Sequence, residues 1–190
     1  MFEAEIKYFF PSTGWPYIKK VIDGLPILSI SSEEHEDTYY DSIDGSFYKS
    51  GKELRLRKVK NRDSNETRME LTFKDVPFDD ETKSKPEYTI EVGNIDRMEN
   101  ILVGIGFTRK VSFIKYCTRY CLIIDDRPID MIIVLIDGES RMFMEIEIKC
   151  SSENEGKRAL NLLYDLGSKL GFSEKDFCNE YYTDIVLKMV

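Results

Sequence analysis

Charged side chains recur at every second position in several short segments of this 190-residue chain. Glu3, Glu5 and Lys7 alternate with Phe2, Ala4, Ile6 and Tyr8, and Arg55 and Arg57 alternate with Leu54 and Leu56. Thr72 and Lys74 oppose Leu71 and Phe73, and Glu87 and Glu91 oppose Tyr88 and Ile90. Glu145 and Glu147 oppose Met144 and Ile146, while Lys115 and Arg119 share a face with Cys117. Carboxylates in a cluster are hard oxygen donors that suit Mg²⁺ or Mn²⁺. Arginine and lysine in a cluster suit phosphate oxygens. Together they make a donor set for a metal-bound polyphosphate.

A period of two belongs to β-strands, whose successive side chains point to opposite faces. Strands are expected over residues 2–10, 36–41, 53–60, 68–76, 87–92, 113–124, 129–136 and 143–150. Asp137-Gly138 marks a turn between the last two. Helices are expected over residues 13–23, from Asn94 to near Gly104 or Gly106, and over 153–170. In the third, Ala159, Leu162, Leu163 and Leu166 recur at helical spacing and Gly171 supplies the stop. Eight strands with short connections predict an α+β fold, a closed eight-stranded antiparallel barrel with helices packed outside, as one domain over residues 1–190. The apolar faces would then lie beneath the helices and the charged faces would line the bore. A sheet with one solvated, charged face is the plainer alternative. Faces of a single sign and the presence of helices to cover the apolar side favour the barrel.

The formal net charge is −8. A uniformly acidic chain repels nucleic acid, so no nucleic-acid partner is expected. No apolar run approaches the roughly 18 residues of a membrane span, and the acidic N-terminus carries no export pattern. A cytoplasmic location follows, with no membrane partner. Cys117, Cys121, Cys150 and Cys178 lack CxxC spacing and read as free thiols in a reducing compartment. His35, the only histidine, reads as a surface residue.

These segments, in this order, resemble the CYTH superfamily of triphosphate tunnel metalloenzymes, which includes class IV adenylyl cyclases and thiamine triphosphatases. EAEIK at Glu3–Lys7 is similar to its N-terminal ExExK signature. DTYYDS from Asp37, LRLRK from Leu54, LTFK from Leu71, PEYTIEV from Pro86, the Gly106-Phe107 pair, Lys115 and MEIE from Met144 follow in the family's order. YYTDIV from Tyr181 resembles a variant of its ending. The resemblance implies an eight-stranded tunnel. By position it implies metal binding by Glu3, Glu5, Glu145 and Glu147, joined by Asp130 or, less well placed, Asp137. It implies phosphate binding by Lys7, Arg55, Arg57, Lys74, Lys115 and Arg119. Lys7 and Glu5 are its catalytic candidates, and Tyr39, Asp41 and Glu87 further tunnel residues. Arg57→Ala should weaken substrate binding with little loss of stability. Thr89 and Cys117 depart from the family's second glutamate and second basic residue; Arg119 could partly replace the latter.

The resemblance implies a Mg²⁺- or Mn²⁺-dependent enzyme acting on ATP, tripolyphosphate or thiamine triphosphate, as a monomer or homodimer. Water as nucleophile makes a triphosphatase. The ribose 3′-hydroxyl attacking the α-phosphorus makes an adenylyl cyclase, and HEDTYYDS and LTFK lie somewhat closer to that branch. A non-catalytic polyphosphate- or nucleotide-binding module is the alternative, and an unrelated β-barrel binding protein a third.

Overall fold

The computed structural model describes residues 1–189; Val190, the last residue of the expected domain, lies outside the described residues. The described residues form eight strands: β1 (Phe2–Pro11), β2 (Ile27–Ser42), β3 (Glu53–Asn61), β4 (Thr67–Lys74), β5 (Lys85–Glu91), β6 (Phe107–Ile124), β7 (Arg127–Ile136) and β8 (Arg141–Cys150). They close into an antiparallel barrel in the order β1-β5-β4-β3-β2-β6-β7-β8. The seam is uneven. β1 pairs with β8 from Phe2 opposite Cys150 to Pro11 opposite Arg141, but touches β5 only at Phe2–Pro86 and Glu3–Lys85.

Among the described residues five α-helices accompany the strands: α1 (Trp15–Ile22), α2 (Ser46–Lys49), α3 (Ile95–Gly104), α4 (Glu153–Lys169) and α5 (Tyr182–Leu187). α4 starts at Ser152, whose side chain accepts from the Glu155 N–H, as an N-cap should. It stops at Gly171, whose φ of +94° is the left-handed turn a helix end favours. Its Ala159, Leu160, Leu163 and Leu166 pack with Ala4, Ile6, Tyr8, Met144, Ile146 and Ile148. Leu102 of α3 packs with Leu54 and Leu56 of β3. The apolar core therefore lies around the barrel, under the helices, and the strands turn their charged faces inward. One end of the bore is filled by apolar side chains, where Ile185 and Val186 of α5 join Val134, Ile136 and Phe143.

Two strands exceed expectation. β2 begins at Ile27 rather than near residue 36, and β6 at Phe107 rather than 113. In the first half of β2 the apolar Ile27, Leu28 and Ile30 fall on both parities, and Ser31 to Glu36 is polar on both faces, so no apolar alternation marks it. That extension corrects the reading of His35, which is 4% exposed: it shares the inward parity of Glu33, Asp37 and Tyr39. All four cysteines are free and no described helix is long and apolar enough to cross a membrane.

Candidate functional site

The bore holds a cavity of about 510 Å³ whose lining is mostly charged. The register of the first and last strands sets its acidic side. Glu5 lies opposite Glu147, and Lys7 opposite Glu145. Glu3, Glu5 and Glu147 each turn a carboxylate oxygen to a common point, all within 4.8 Å of one another. Burial, foremost, and the neighbouring carboxylates raise the pKa of each to about 7, as expected where like charges are crowded out of water. Three hard oxygen donors that resist ionising together are a fitting seat for Mg²⁺ or Mn²⁺.

The other expected metal ligands lie outside this trio. Burial acts to raise the Glu145 pKa, but Lys115 and Lys7 outweigh it and bring it below the usual carboxylate range. Asp130 lies opposite Glu147 and lines the cavity, but it is ion-paired to Arg119 at 2.5 Å. Arg119 is also 3.0 Å from Glu147, so two carboxylates share its charge. Asp137 is exposed in the turn after β7, since the strand ends at Ile136.

Lys74 likewise sits among acids, 2.6 Å from Glu3, 2.8 Å from Glu87 and 3.8 Å from Glu5. Burial disfavours its charge, but these glutamates hold its pKa well above the lysine value. Thr89 extends this side with a hydroxyl only, 3.0 Å from the Thr72 hydroxyl and from Glu87, to which it donates.

The basic side comes from β3, β6 and β1. Arg55 has no carboxylate within 4.0 Å among the described residues. Its Nη2 donates to Thr72 Oγ1 at 3.3 Å, and its buried Nε has no partner. Its guanidinium lies 6.0 Å from the Tyr39 ring centre. Lys7 donates to the backbone carbonyl of Glu180 and sits 4.2 Å from the centre of the Tyr182 ring. Lys115 faces the same ring at 4.7 Å. Arg57 and Lys115 share Asp37, whose two oxygens accept from Arg57 Nε and Nη2 at 2.6 and 2.8 Å; Lys115 Nζ lies 3.3 Å away. Burial alone would raise the Asp37 pKa, yet these cations drive it well below the usual value.

Most expected site residues therefore converge: Glu3, Glu5, Lys7, Tyr39, Arg55, Arg57, Lys74, Glu87, Lys115, Arg119, Asp130, Glu145 and Glu147 all line the cavity. Asp41 does not. The register shifts after Tyr39, and Asp41 instead accepts from the Tyr48 N–H at 3.0 Å, holding α2 against the strand end. Sequence reasoning passed over Asp37, Glu33 and His35. Asp37 stood inside the quoted DTYYDS, and two-residue parity with Tyr39 would have found it. His35 lies 2.8 Å from Glu33 through Nε2 and 3.6 Å from the Cys117 sulfur through Nδ1. Burial lowers its pKa to about 4, so it stays neutral beside Arg57 and Lys115.

Residues 1–182 match the profile of the CYTH domain. A Methanocaldococcus jannaschii protein provisionally named adenylate cyclase is 24% identical over 97% of this chain and 98% of its own. The fold is similar to that of the Pyrococcus horikoshii protein PH1819, with a TM-score of 0.81, 21% identity and 99% of both chains covered. It is also similar to HpAC1 of Hippeastrum, provisionally an adenylyl cyclase and described as having a dominant triphosphatase activity. There the TM-score is 0.59 at 17% identity, with 90% of this chain and 88% of that one covered.

Proposed function

The chain belongs to the CYTH domain family, and from that premise we propose that it is a divalent-metal-dependent enzyme that displaces a group at phosphorus in a small-molecule triphosphate. One juxtaposition carries the reading. Three carboxylates that cannot comfortably ionise together share a bore with Arg55, a cation lacking any carboxylate partner and bearing a buried, unpartnered Nε. A metal–triphosphate complex answers both.

Glu3, Glu5 and Glu147 hold Mg²⁺ or Mn²⁺ in this reading, and Asp130 and Glu145 support them through Arg119, Lys7 and Lys115. Bound there, the cation would neutralise phosphate oxygens and polarise the phosphorus. Arg55, Arg57, Lys7 and Lys115 bind phosphate oxygens, with guanidinium forks matched to them. Their fixed placement aligns the scissile P–O bond with its nucleophile and stabilises charge as that bond breaks. Lys74, held among Glu3, Glu5 and Glu87, offsets part of the negative charge of the acidic side.

Two nucleophiles fit this site. The provisional name of the M. jannaschii relative points to cyclisation of ATP by its own ribose 3′-hydroxyl, and the activity described for HpAC1 points to water. Product analysis separates them. Purified protein is incubated with ATP and with tripolyphosphate, each with Mg²⁺ and with Mn²⁺. cAMP with pyrophosphate identifies the cyclase, and orthophosphate the triphosphatase. No turnover alongside tight binding would refute the enzymatic reading in favour of a binding module.

A further inference from the structure

We propose that Asp37 is a positioning residue of the phosphate site: it clamps Arg57 and Lys115 into one fixed cation pair and offsets half of their combined charge. The proposal rests on the triphosphate reading of the bore. Topology gives Asp37 this place. β2 lies between β3 and β6 in the barrel, so its inward row separates the arginines of β3 from Lys115 of β6. Asp37 stands directly opposite Arg57, and its inward neighbour His35 stands opposite Lys115.

The layering is what sets this apart from a plain ion pair. Arg57 and Lys115 line the cavity, whereas Asp37 lies behind them and its side chain is 0% exposed. It takes Arg57 by the Nε edge of the guanidinium through both oxygens, which leaves the Nη1 hydrogens and one of Nη2 for a ligand. An arginine held in that way cannot swing about its own stem. Arg55, two residues earlier on the same face, has no such backing. Beside Arg55 and Lys7, which keep their full charge, the bore thus presents one pair whose net charge is a single unit.

Two consequences follow, and they oppose each other. Removing the carboxylate charge makes the pair more attractive to a polyanion in the ground state. It also releases the guanidinium from its fixed orientation, and small misplacements cost turnover steeply. Asp37→Asn is therefore expected to bind tripolyphosphate without metal as tightly as the wild type or more tightly. Its kcat should fall about 10- to 100-fold while KM stays level or falls. A residue that merely supported the fold would not split the two constants in this direction.

Because Asp37 acts through Arg57, the two effects should not multiply. On an Arg57→Ala background, Asp37→Asn should cost no further turnover. One measurement needs neither a variant nor a ligand. In the wild-type protein the Arg57 Nε–H should give a separate nitrogen–proton NMR signal, protected from exchange with water. Full multiplication of the two mutational effects overturns the proposal, as does weakened tripolyphosphate binding in Asp37→Asn with kcat unchanged. An unprotected Arg57 signal in a wild-type protein that binds tripolyphosphate overturns the clamp alone. A wild-type protein that neither binds nor turns over tripolyphosphate, with Arg57 protected, refutes the triphosphate reading and the role in phosphate positioning with it.

Discussion

Glu5→Gln should stabilise the metal-free protein while disabling its response to metal. Glu5 is the member of the carboxylate trio with least direct pairing, its nearest cation being Lys74 at 3.8 Å. Its side chain is 22% exposed, and burial, with Glu145 and Glu147, raises its pKa from 4.5 to about 7. A carboxylate whose pKa is raised on folding holds its proton more tightly folded than unfolded. Its contribution to stability is then full below pH 4.5 and is lost as the pH climbs through 7. A shift of that size corresponds to roughly 3 kcal/mol above the window. The glutamine amide must itself be buried, which costs part of that gain, so about 1–3 kcal/mol should remain at pH 8. For a chain of this length that raises Tm by about 3–10 °C. The assay is thermal unfolding with a chelator from pH 4 to 8: the variant should match the wild type at pH 4 and exceed it at pH 8. Mg²⁺ or Mn²⁺ at 100 times its Kd should stabilise the wild type by about 2.7 kcal/mol and the variant by much less, with metal-dependent turnover largely lost. A variant less stable than the wild type at pH 8, with an unchanged metal response and activity, would refute the reasoning. Glu5 would then be part of a structural ion-pair network.

Arg55→Met strands no carboxylate, so unfolding in urea should shift little. KM for tripolyphosphate should rise about 10- to 100-fold, the worth of one charge-assisted hydrogen bond. Arg57→Ala should behave differently and cost about 1–3 kcal/mol in urea, because it strips the buried Asp37 of two hydrogen bonds and leaves it with Lys115 alone; this replaces the expectation of little lost stability. Gly167→Ala should lower Tm by about 3–10 °C through overpacking of about 1–3 kcal/mol. Its added Cβ would lie 2.7 Å from Tyr8 Cε2 and 2.8 Å from Cζ. Activity per folded molecule should be retained, since Tyr8 faces away from the bore.

The barrel was legible in the sequence because its outer face is apolar wherever a helix covers it. Ala4, Ile6 and Tyr8, like Met144 and Ile146, announce their strands by alternation. β2 failed this test. From Ser31 to Glu36 its inward Ser31, Glu33 and His35 alternate with the equally polar Ser32, Glu34 and Glu36, so neither face stands out. Starting the strand at residue 36 left out Glu33 and put His35 on the surface, whereas Asp37 lay inside the expected strand and was passed over although it shares the parity of Tyr39. Parity also fixed which charges face inward without fixing which pair. That Asp130 meets Arg119, or that Lys74 meets Glu3 and Glu87, depends on the stagger between strands, which a single chain's alternation does not encode. Asp41 shows the other limit: one register shift after Tyr39 removed it from a row whose parity it shares.

Those pairings decide how so charged a bore can fold and what it would take up. Charges buried in a barrel are tolerable when each has a partner, and most here do. Arg57 and Lys115 have Asp37, Arg119 has Asp130 and Glu147, and Lys74 has Glu3 and Glu87. Two imbalances of opposite sign remain. Arg55 and Lys7 have no carboxylate within 4.0 Å among the described residues, and the Glu3–Glu5–Glu147 trio holds more negative charge than its neighbours neutralise. A free polyanion would satisfy the first and worsen the second, and a cation alone would do the reverse. A ligand carrying both signs relieves both, which is why the charge pattern itself favours a metal–triphosphate complex over either component alone.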